Sequence, residues 1–261
     1  MIKRPFFMNV ALYIEWGFLP SGKLEIIMGA MKLKGKTALV TGGNRGIGFE
    51  VCRSLATEGA SVLLGSRDAQ MGQEAATLLQ RENLDVSVLQ LDVANQESIR
   101  RATNEVGNRI DILINNAAIL DRKAWKALTD EDVSRFVETN LTGPILLASH
   151  LSEGMRKRNW GRIVNVSSGM GSVSRGLGPD SVLYRVTKAA LNAFTICLAQ
   201  ALVGSGVLVN SVDPGWVRTE MGGPSAPRTA LQGARGIVWA ALLPDDGPTG
   251  GFYYNGKQTD W

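Results

Sequence analysis

Short apolar runs alternate with longer amphipathic runs along most of this 261-residue chain, and that alternation restricts the folds it can adopt. Repeated strand–helix units are typical of a parallel sheet with crossover helices on both faces. The sequence therefore predicts an α/β fold with a doubly wound, parallel, seven-stranded sheet, and residues 31–261 are expected to form a single domain. The expected strands are Thr37–Thr41, Ser61–Gly65, Val86–Leu91, Ile110–Asn115, Arg162–Ser167, Val207–Val212 and Gly251–Tyr254. The expected helices lie near Gly48–Glu58, Ala69–Arg81, Gln96–Val106, Asp130–Arg158, Tyr184–Val203 and Ala230–Leu243.

The composition argues against several classes of protein. A chain that is 44% hydrophobic and 20% charged is neither intrinsically disordered nor a multi-span membrane protein. Its one histidine, His150, has no cysteines or paired acids nearby in sequence, so we expect no metal site. No G-x-S-x-G motif is present, which argues against a serine hydrolase. The net charge of +4 is interleaved with acids, so we expect neither a nucleic-acid nor a membrane partner.

The two cysteines and the first thirty residues bear on where the protein works. Cys52 and Cys197 lie in helical runs, which indicates buried thiols in a reducing compartment and hence a cytoplasmic protein. Within residues 1–30, the mixed run Phe6–Ile14 is too short and too polar to span a bilayer. We interpret residues 1–30 as an N-terminal extension that comes from a mis-chosen start codon. A targeting segment or a flexible arm is the open alternative.

The first expected strand leads directly into a glycine-rich turn, Thr41-Gly42-Gly43-Asn44-Arg45-Gly46-Ile47-Gly48, and then into a helix. Glycine allows a backbone to approach a pyrophosphate closely, and the free N–H groups at the start of a helix favour an anion. The turn has neither the lysine of a P-loop nor the third glycine of G-x-G-x-x-G. We interpret it as the phosphate site of a Rossmann-type dinucleotide fold. The candidate contacts are Gly42, Asn44, Arg45, Gly46, Ile47 and Gly48.

The second expected strand ends where the adenosine ribose of a dinucleotide should lie. An acid at this point would favour NAD, but the sequence has Ser66 and Arg67 there. Arg67 and Arg45 together supply two guanidinium groups that could bind a 2′-phosphate, so the pattern predicts NADP(H) as the cofactor. Asp92, with Val93 beside it, follows the third strand and is a candidate acceptor for the adenine amino group.

Polar residues also follow the fourth and fifth expected strands and occupy the long helices. Tyr184 and Lys188 are four residues apart, so on a helix they share one face. The lysine and a positively charged nicotinamide should lower the pKa of the phenol, which would make Tyr184 a general acid or base. In isolation such a pair is usually an ordinary surface pair, but several strand-end polar residues together favour a catalytic site. The further members of this set are Asn116, Ala117, Asn140 and Ser168.

In their order along the chain, these motifs resemble the short-chain dehydrogenase/reductase family over about residues 34 to 255. The resemblance implies that Tyr184 transfers a proton to or from the substrate oxygen, and that Lys188 holds the nicotinamide ribose and lowers the tyrosine pKa. It also implies that Ser168 orients the carbonyl group and that Asn140 anchors a proton-relay water. Asn116, Ala117, Tyr184 and Lys188 are counted among the cofactor contacts as well.

A second stretch, Pro214-Gly215-Trp216-Val217-Arg218-Thr219-Glu220-Met221, resembles the carbonyl-reductase branch of the family. By that resemblance, Pro214 and Gly215 shape a turn while Val217 and Thr219 contact the nicotinamide carboxamide. The segment Gly222–Gly236 is then the expected substrate lid. The implied activity is NADPH-dependent reduction of an aldehyde, ketone or quinone, with Tyr184 as the acid.

Two other functions remain open at this point. One is an NAD-linked alcohol dehydrogenase, which Arg67 disfavours, and the other is a catalytically silent, dinucleotide-sensing binding protein on the same fold. The segment between Ser168 and Tyr184 is short, which leaves the Tyr184 helix free to pack against another subunit. We therefore expect a homodimer or homotetramer.

Overall fold

The computed structural model describes residues 31–261, so the expected N-terminal extension lies outside the described residues. One eight-stranded sheet runs through this part of the chain in the order β3-β2-β1-β4-β5-β6-β7-β8. Its strands are β1 Thr37–Thr41, β2 Ser61–Ser66, β3 Val86–Gln90, β4 Ile112–Asn115, β5 Gly161–Val166, β6 Val207–Asp213, β7 Phe252–Tyr254 and β8 Lys257–Gln258. The α-helices are α1 Gly46–Thr57, α2 Ala69–Gln80, α3 Gln96–Val106, α4 Asp130–Val137, α5 Gly143–Lys157, α6 Val182–Ala201 and α7 Ala230–Ala241.

The first seven strands are parallel, and the strand order reverses beside β1. On one side β1 pairs with β2, with Val40 opposite Leu64, and on the other side it pairs with β4, with Val40 opposite Ile114. The doubly wound parallel sheet expected from the sequence is confirmed. Ligands of such sheets bind beyond the carboxyl ends of the strands at this reversal, which places the glycine-rich turn after β1 at the expected crevice.

The sheet has one strand more than the seven expected. β8 pairs antiparallel with β7, with Tyr254 opposite Lys257. Asn255 and Gly256 form the two-residue connection with φ values of 50° and 74°. Asn-Gly is the preferred sequence for a tight hairpin turn in which both central residues have positive φ. The signal was therefore present in the sequence, although β8 is only two residues long.

The single long helix expected at Asp130–Arg158 is wrong. The structure has α4, then a π-helical turn at Glu138–Thr142, and then α5. Pro144 lies in the first turn of α5 and has no N–H to donate to the carbonyl of Asn140, so a continuous α-helix cannot be maintained there. Gly143 also passes so close to the carbonyl oxygen of Val93 that a side chain at position 143 would overlap it.

The two faces of the sheet have separate hydrophobic cores. On one face, α1, α2 and α7 contribute buried residues such as Leu55, Leu79 and Ile237. On the other face, residues from α3 and α5, such as Ile99 and Leu151, pack with residues from the end of α6. Burial of this apolar surface on both sides is the main stabilising contribution and holds the strand ends in place.

The thiols differ in a way that the sequence did not indicate. Cys52 is buried in α1, and burial raises the pKa of its thiol. Cys197 is exposed on α6, so the expectation that both thiols are buried is wrong for Cys197. By length and composition α6 could cross a membrane, but it packs against β6 and carries the buried polar residues Lys188 and Asn192. These contacts are those of the core helix of a globular domain.

Candidate active site

The glycine-rich turn has the shape of a cradle for an anion. Gly42 and Gly46 have φ values of 63° and 56°, in the region that favours glycine. A Cβ on Gly48 would overlap the Gly42 carbonyl oxygen and lie 2.6 Å from the Asn116 amide nitrogen. Arg45 is the N-cap of α1, but its side chain makes no capping hydrogen bond. The first N–H groups of α1 therefore have no side-chain cap, as a phosphate-binding helix end requires.

Two side chains fix this turn to the end of β4. The backbone N–H groups of Asn116 and Ala117 donate to the Thr41 hydroxyl at 2.9 and 3.0 Å. The Asn116 amide donates to the carbonyl oxygens of Thr41 at 2.8 Å and Gly42 at 3.2 Å. The structure thus uses the Asn116 side chain to hold the turn, so that its role toward a nucleotide is to position Gly42 and Gly48.

A long irregular segment, residues 214–229, lies against the glycine-rich turn. Arg45 forms an ion pair with Glu220, and a Cβ on Gly46 would lie 3.2 Å from the Thr219 methyl group. The Thr219 hydroxyl accepts from the Gly222 N–H at 3.1 Å, while Val217 is buried. The expected lid at Gly222–Gly236 is therefore misplaced, because α7 already begins at Ala230.

The polar residues expected near the adenosine divide into two groups. The Ser66 hydroxyl is buried and donates to the Asp68 carbonyl oxygen at 2.7 Å. Arg67 is exposed and lines an open cavity of about 360 Å³ together with Asp92 and Arg101, a second guanidinium that the sequence analysis missed. The Asp92 carboxylate accepts from the Ala94 N–H at 3.0 Å, so one of its oxygens stabilises its own turn. The cavity can therefore hold a polar, negatively charged group.

Ser168 and Tyr184 meet at the carboxyl end of β5. Ser168 follows β5 and is the N-cap of a short turn, where its hydroxyl accepts from the Met170 N–H at 3.1 Å. A hydrogen bond joins the Ser168 side chain to the Tyr184 phenol. Burial raises the pKa of Tyr184 to about 12, and the nearby Asp213 charge adds to the rise while Ser168 opposes it. The sequence led us to expect a lowered pKa, but among the residues of the chain burial is the dominant cause.

Lys188 lies on the same face of α6 as Tyr184, as the spacing predicted. Its Nζ is 5.6 Å from the centroid of the Tyr184 ring, and it donates to the Val166 carbonyl oxygen at 2.6 Å. The side chain is 2% exposed, and this burial lowers the pKa of Lys188 to about 8. The end of β5 therefore holds an ammonium group beside the phenol.

Asn140 connects two walls of the site from its π-helical turn. Its side-chain oxygen accepts from the Ile119 N–H at 2.8 Å, and its amide donates to the Ile119 carbonyl oxygen at 3.0 Å and to the Thr187 hydroxyl at 3.1 Å. Turns of this kind are frequent at functional sites. Thr187, which the sequence analysis missed, thereby joins Asn140 to α6 one residue before Lys188.

The end of β6 brings a further residue to the site that the sequence analysis missed. Asp213 precedes Pro214, and its carboxylate accepts from the Gly215 N–H at 2.8 Å, which closes the turn expected at Pro214-Gly215. Gly215 has a φ of 76°. The sequence did carry a signal, because Asp213 ends a strand at the same sheet edge as the other polar residues.

Together these residues form one crevice with two distinct parts. The glycine-rich turn, Arg67 and the cavity beside it are suited to a nucleotide with a negatively charged ribose substituent. The hydroxyl of Ser168, the phenol of Tyr184 and the ammonium of Lys188 form a proton-donating group beside it. In the described part of the chain, 31–261, no group of three or more histidine, cysteine or acidic side chains could hold a metal ion.

Comparison with known proteins agrees with this geometry. The family model described as "short chain dehydrogenase" matches residues 36–229. The 3-oxoacyl-[acyl-carrier-protein] reductase FabG of Aquifex aeolicus is 36% identical over 73% of this chain and 77% of its own length. Carbonyl reductase [NADPH] 1 of Sus scrofa is 32% identical over 87% and 94%. A gluconate 5-dehydrogenase from Burkholderia cenocepacia, solved with NADP and tartrate, superposes with a TM-score of 0.78 and 26% identity, over 86% of this chain and 95% of that one.

Proposed function

Because this chain belongs to the short-chain dehydrogenase family, we propose that it is an NADP(H)-dependent oxidoreductase that reduces an aldehyde, ketone or quinone to the alcohol. The observation that carries the proposal is the hydrogen bond between Ser168 and the Tyr184 phenol, with the Lys188 ammonium buried beside them at a strand end. The printed names of the pig carbonyl reductase and of the NADP complexes support this choice of substrate class and cofactor.

The residues of the crevice fit a phosphorylated dinucleotide. The uncapped N–H groups of α1 would hold the pyrophosphate, since Gly46 and Gly48 leave no side chain in the way. Arg67 would bind the 2′-phosphate, and Arg45 would assist it on release from Glu220. Lys188 would hold the nicotinamide ribose, and the segment with Val217 and Thr219 would face the carboxamide. When bound, NADPH supplies a hydride to the carbonyl carbon.

The protein groups supply the proton and stabilise the negative charge. The Ser168 hydroxyl donates a hydrogen bond to the substrate carbonyl oxygen, and Tyr184 transfers its phenolic proton to that oxygen as it becomes an alkoxide. The Lys188 ammonium stabilises the resulting phenolate electrostatically. Asn140 anchors the water that returns a proton toward Tyr184. Hydride and proton together balance the reduction of the carbonyl to the alcohol.

The test of this function is oxidation of reduced nicotinamide by the purified full chain, with NADPH and NADH measured side by side. A panel of aldehydes, ketones and quinones serves as substrates. NADPH-selective turnover supports the proposal. Turnover with NADH alone would support the NAD-linked alternative, whereas NADPH binding without turnover on any carbonyl would support a sensor.

Replacing Arg67 by aspartate should reduce the preference for NADPH over NADH. The substitution removes a charge-assisted hydrogen bond to the 2′-phosphate and places a negative charge in its position. Such bonds contribute about 1.5 to 3 kcal/mol, so we expect the kcat/KM ratio of the two cofactors to fall by about 10- to 100-fold. Arg81→Asp, at an exposed position after α2, is the matched control and should leave the ratio unchanged. An unchanged ratio in Arg67→Asp would contradict the assignment of Arg67.

The pKa values of the two buried groups predict how reduction depends on pH. Tyr184 remains protonated below about 12 and is available as an acid across the neutral range. Lys188 loses its proton as the pH rises through about 8, which removes the charge that holds the ribose and stabilises the phenolate. We therefore expect kcat/KM for NADPH, which reports groups of the free enzyme, to be highest below pH 8 and to fall above it. A profile that stays flat well above this pH would exclude this role for Lys188.

We also propose that the protein works in the cytoplasm and forms a homodimer or homotetramer. Support for assembly comes from α6, whose outward face exposes the apolar side chains of Val186 and Ile196. Light scattering coupled to size-exclusion chromatography measures the subunit number directly. A monomer at working concentration would contradict the proposal.

A further inference from the structure

The carboxylate of Asp213 lies beside the proposed proton donors but has no part in the mechanism above. One of its oxygens accepts from the Gly215 N–H. Among the described residues, nothing donates to the other oxygen, Oδ2. Oδ2 lies 2.9 Å from the point that a Cβ on Gly169 would occupy, and Gly169 directly follows Ser168. The Asp213 charge also acts on the Tyr184 phenol, which places the carboxylate on the side of the site where a substrate would enter.

A guanidinium group faces the same point from the opposite direction. The Nη1 atom of Arg175 lies 3.4 Å from the same hypothetical Cβ of Gly169. Arg175 and Asp213 form no ion pair within 4.0 Å in the described chain, so a gap separates the two charges. The other terminal nitrogen of Arg175 donates to the Thr259 hydroxyl. The opening next to Ser168 is therefore bordered by a carboxylate and a guanidinium that do not neutralise each other directly.

The last residues of the chain hold the loop that carries Arg175. The Ser172 hydroxyl donates to the Asp260 carbonyl oxygen at 3.0 Å, and the Ser174 N–H donates to the Trp261 carbonyl oxygen at 2.7 Å. The Trp261 ring stacks on Phe252 of β7, with 5.6 Å between centroids. Because β7 belongs to the sheet, these contacts fix the Arg175 loop relative to the strand end that carries Asp213.

Two separated opposite charges restrict which group can occupy the space between them. A substrate carboxylate would be repelled by Asp213, and a substrate ammonium would be repelled by Arg175. An alkyl group would remove water from both charges without replacing its hydrogen bonds. A hydroxyl group can donate to the carboxylate and accept from the guanidinium at the same time.

We propose that Asp213 and Arg175 are specificity-determining residues that select neutral carbonyl compounds with a hydroxyl group on the carbon next to the carbonyl. The inference rests on the proposed function, because it concerns the substrate side of the same site. The hydroxyl lies between Asp213 Oδ2 and the Arg175 guanidinium while the carbonyl oxygen is held by Ser168 and Tyr184.

Four ketones that differ in a single group test the inference: hydroxyacetone, 2-butanone, pyruvate and aminoacetone. Each is compared with 2-butanone by its ratio of kcat/KM with NADPH, which cancels any general effect of a substitution on catalysis. We expect the intact protein to prefer hydroxyacetone by about tenfold, the contribution of one hydrogen bond to a charged group.

Charge-removing variants separate selectivity from a structural role. Asp213→Asn keeps an oxygen for the Gly215 N–H, and it should lower the hydroxyacetone ratio while raising the pyruvate ratio. Arg175→Met should instead raise the aminoacetone ratio. A parallel loss on all four ketones, with unchanged ratios, would show that the two residues only support the fold and would overturn the inference.

A binding measurement keeps the inference distinguishable from the proposed function. Calorimetric titration of the four compounds into the NADP⁺-loaded full chain needs no turnover. Selective binding of hydroxyacetone that Asp213→Asn removes would support the inference even if no ketone were reduced. Reduction of plain ketones with no hydroxyl preference in either assay would leave the proposed function standing and refute the inference.

Discussion

Replacing Tyr184 by phenylalanine will lower carbonyl reduction by about 10³-fold and leave NADPH binding in place, the middle of the range for loss of a general acid. The substitution removes the phenolic proton and its hydrogen bond with Ser168 but keeps the ring that packs in the site. Steady-state turnover measures the first effect, and a fluorescence titration of NADPH measures the second. Binding without turnover would place the loss in the chemical step.

A second buried tyrosine provides the control for this experiment. Tyr253 lies in β7, is 5% exposed and packs on Trp239 with 4.9 Å between ring centroids. Tyr253→Phe therefore removes a hydroxyl from a packed ring away from Ser168 and should retain turnover. If Tyr184→Phe kept the turnover of the unaltered protein, the acid would be another group and the mechanism would be wrong.

Replacing Gly48 by alanine will weaken NADPH binding by about 100-fold and lower the free energy of unfolding by about 1 to 3 kcal/mol. The added Cβ would overlap the Gly42 carbonyl oxygen and press on the Asn116 amide, both of which are backbone or tightly bonded groups. The turn must then shift away from the start of α1, where the pyrophosphate is proposed to bind. NADPH titration and urea denaturation measure the two effects.

Gly236→Ala is the matched substitution in a helix outside the turn. A Cβ there would lie 3.3 Å from a methyl group of Val212, so a small adjustment accommodates it. Alanine also favours the helical backbone of α7 by about 1 kcal/mol over glycine. This variant should bind NADPH normally and lose little stability. NADPH binding by Gly48→Ala as tight as by Gly236→Ala would show that the cradle does not need a bare position at 48.

Local sequence patterns were sufficient for most of the secondary structure. The expected bounds of β1 and α3 coincide with the observed ones, and most other elements differ by only one or two residues at an end. Hydrophobic periodicity and glycine placement are properties of neighbouring residues, so they can be recognised without the fold. The break at Asn140 was missed because it combines the missing N–H of Pro144 with the close passage of Gly143 over Val93.

The candidate site divides along the same line. The helical spacing of Tyr184 and Lys188 and the glycines after β1 are local, and the chain order of the motifs was enough to indicate the family. The direction of the Tyr184 pKa was not predictable, because it depends on how deeply α6 is buried and on a charge from β6. The same holds for Lys188, whose hydrogen bond to Val166 arises only when α6 packs on β5.

The sequence by itself determined the order of strands and helices, the nucleotide-type turn and the residue types available for proton transfer, since each depends on neighbours along the chain. Only the tertiary structure decided which distant residues face one another. The pair Arg45–Glu220 and the gap between Asp213 and Arg175 join segments far apart in sequence. Their geometry depends on how the sheet edge, the irregular segment 214–229 and the C-terminal residues pack together, and no local pattern encodes that packing.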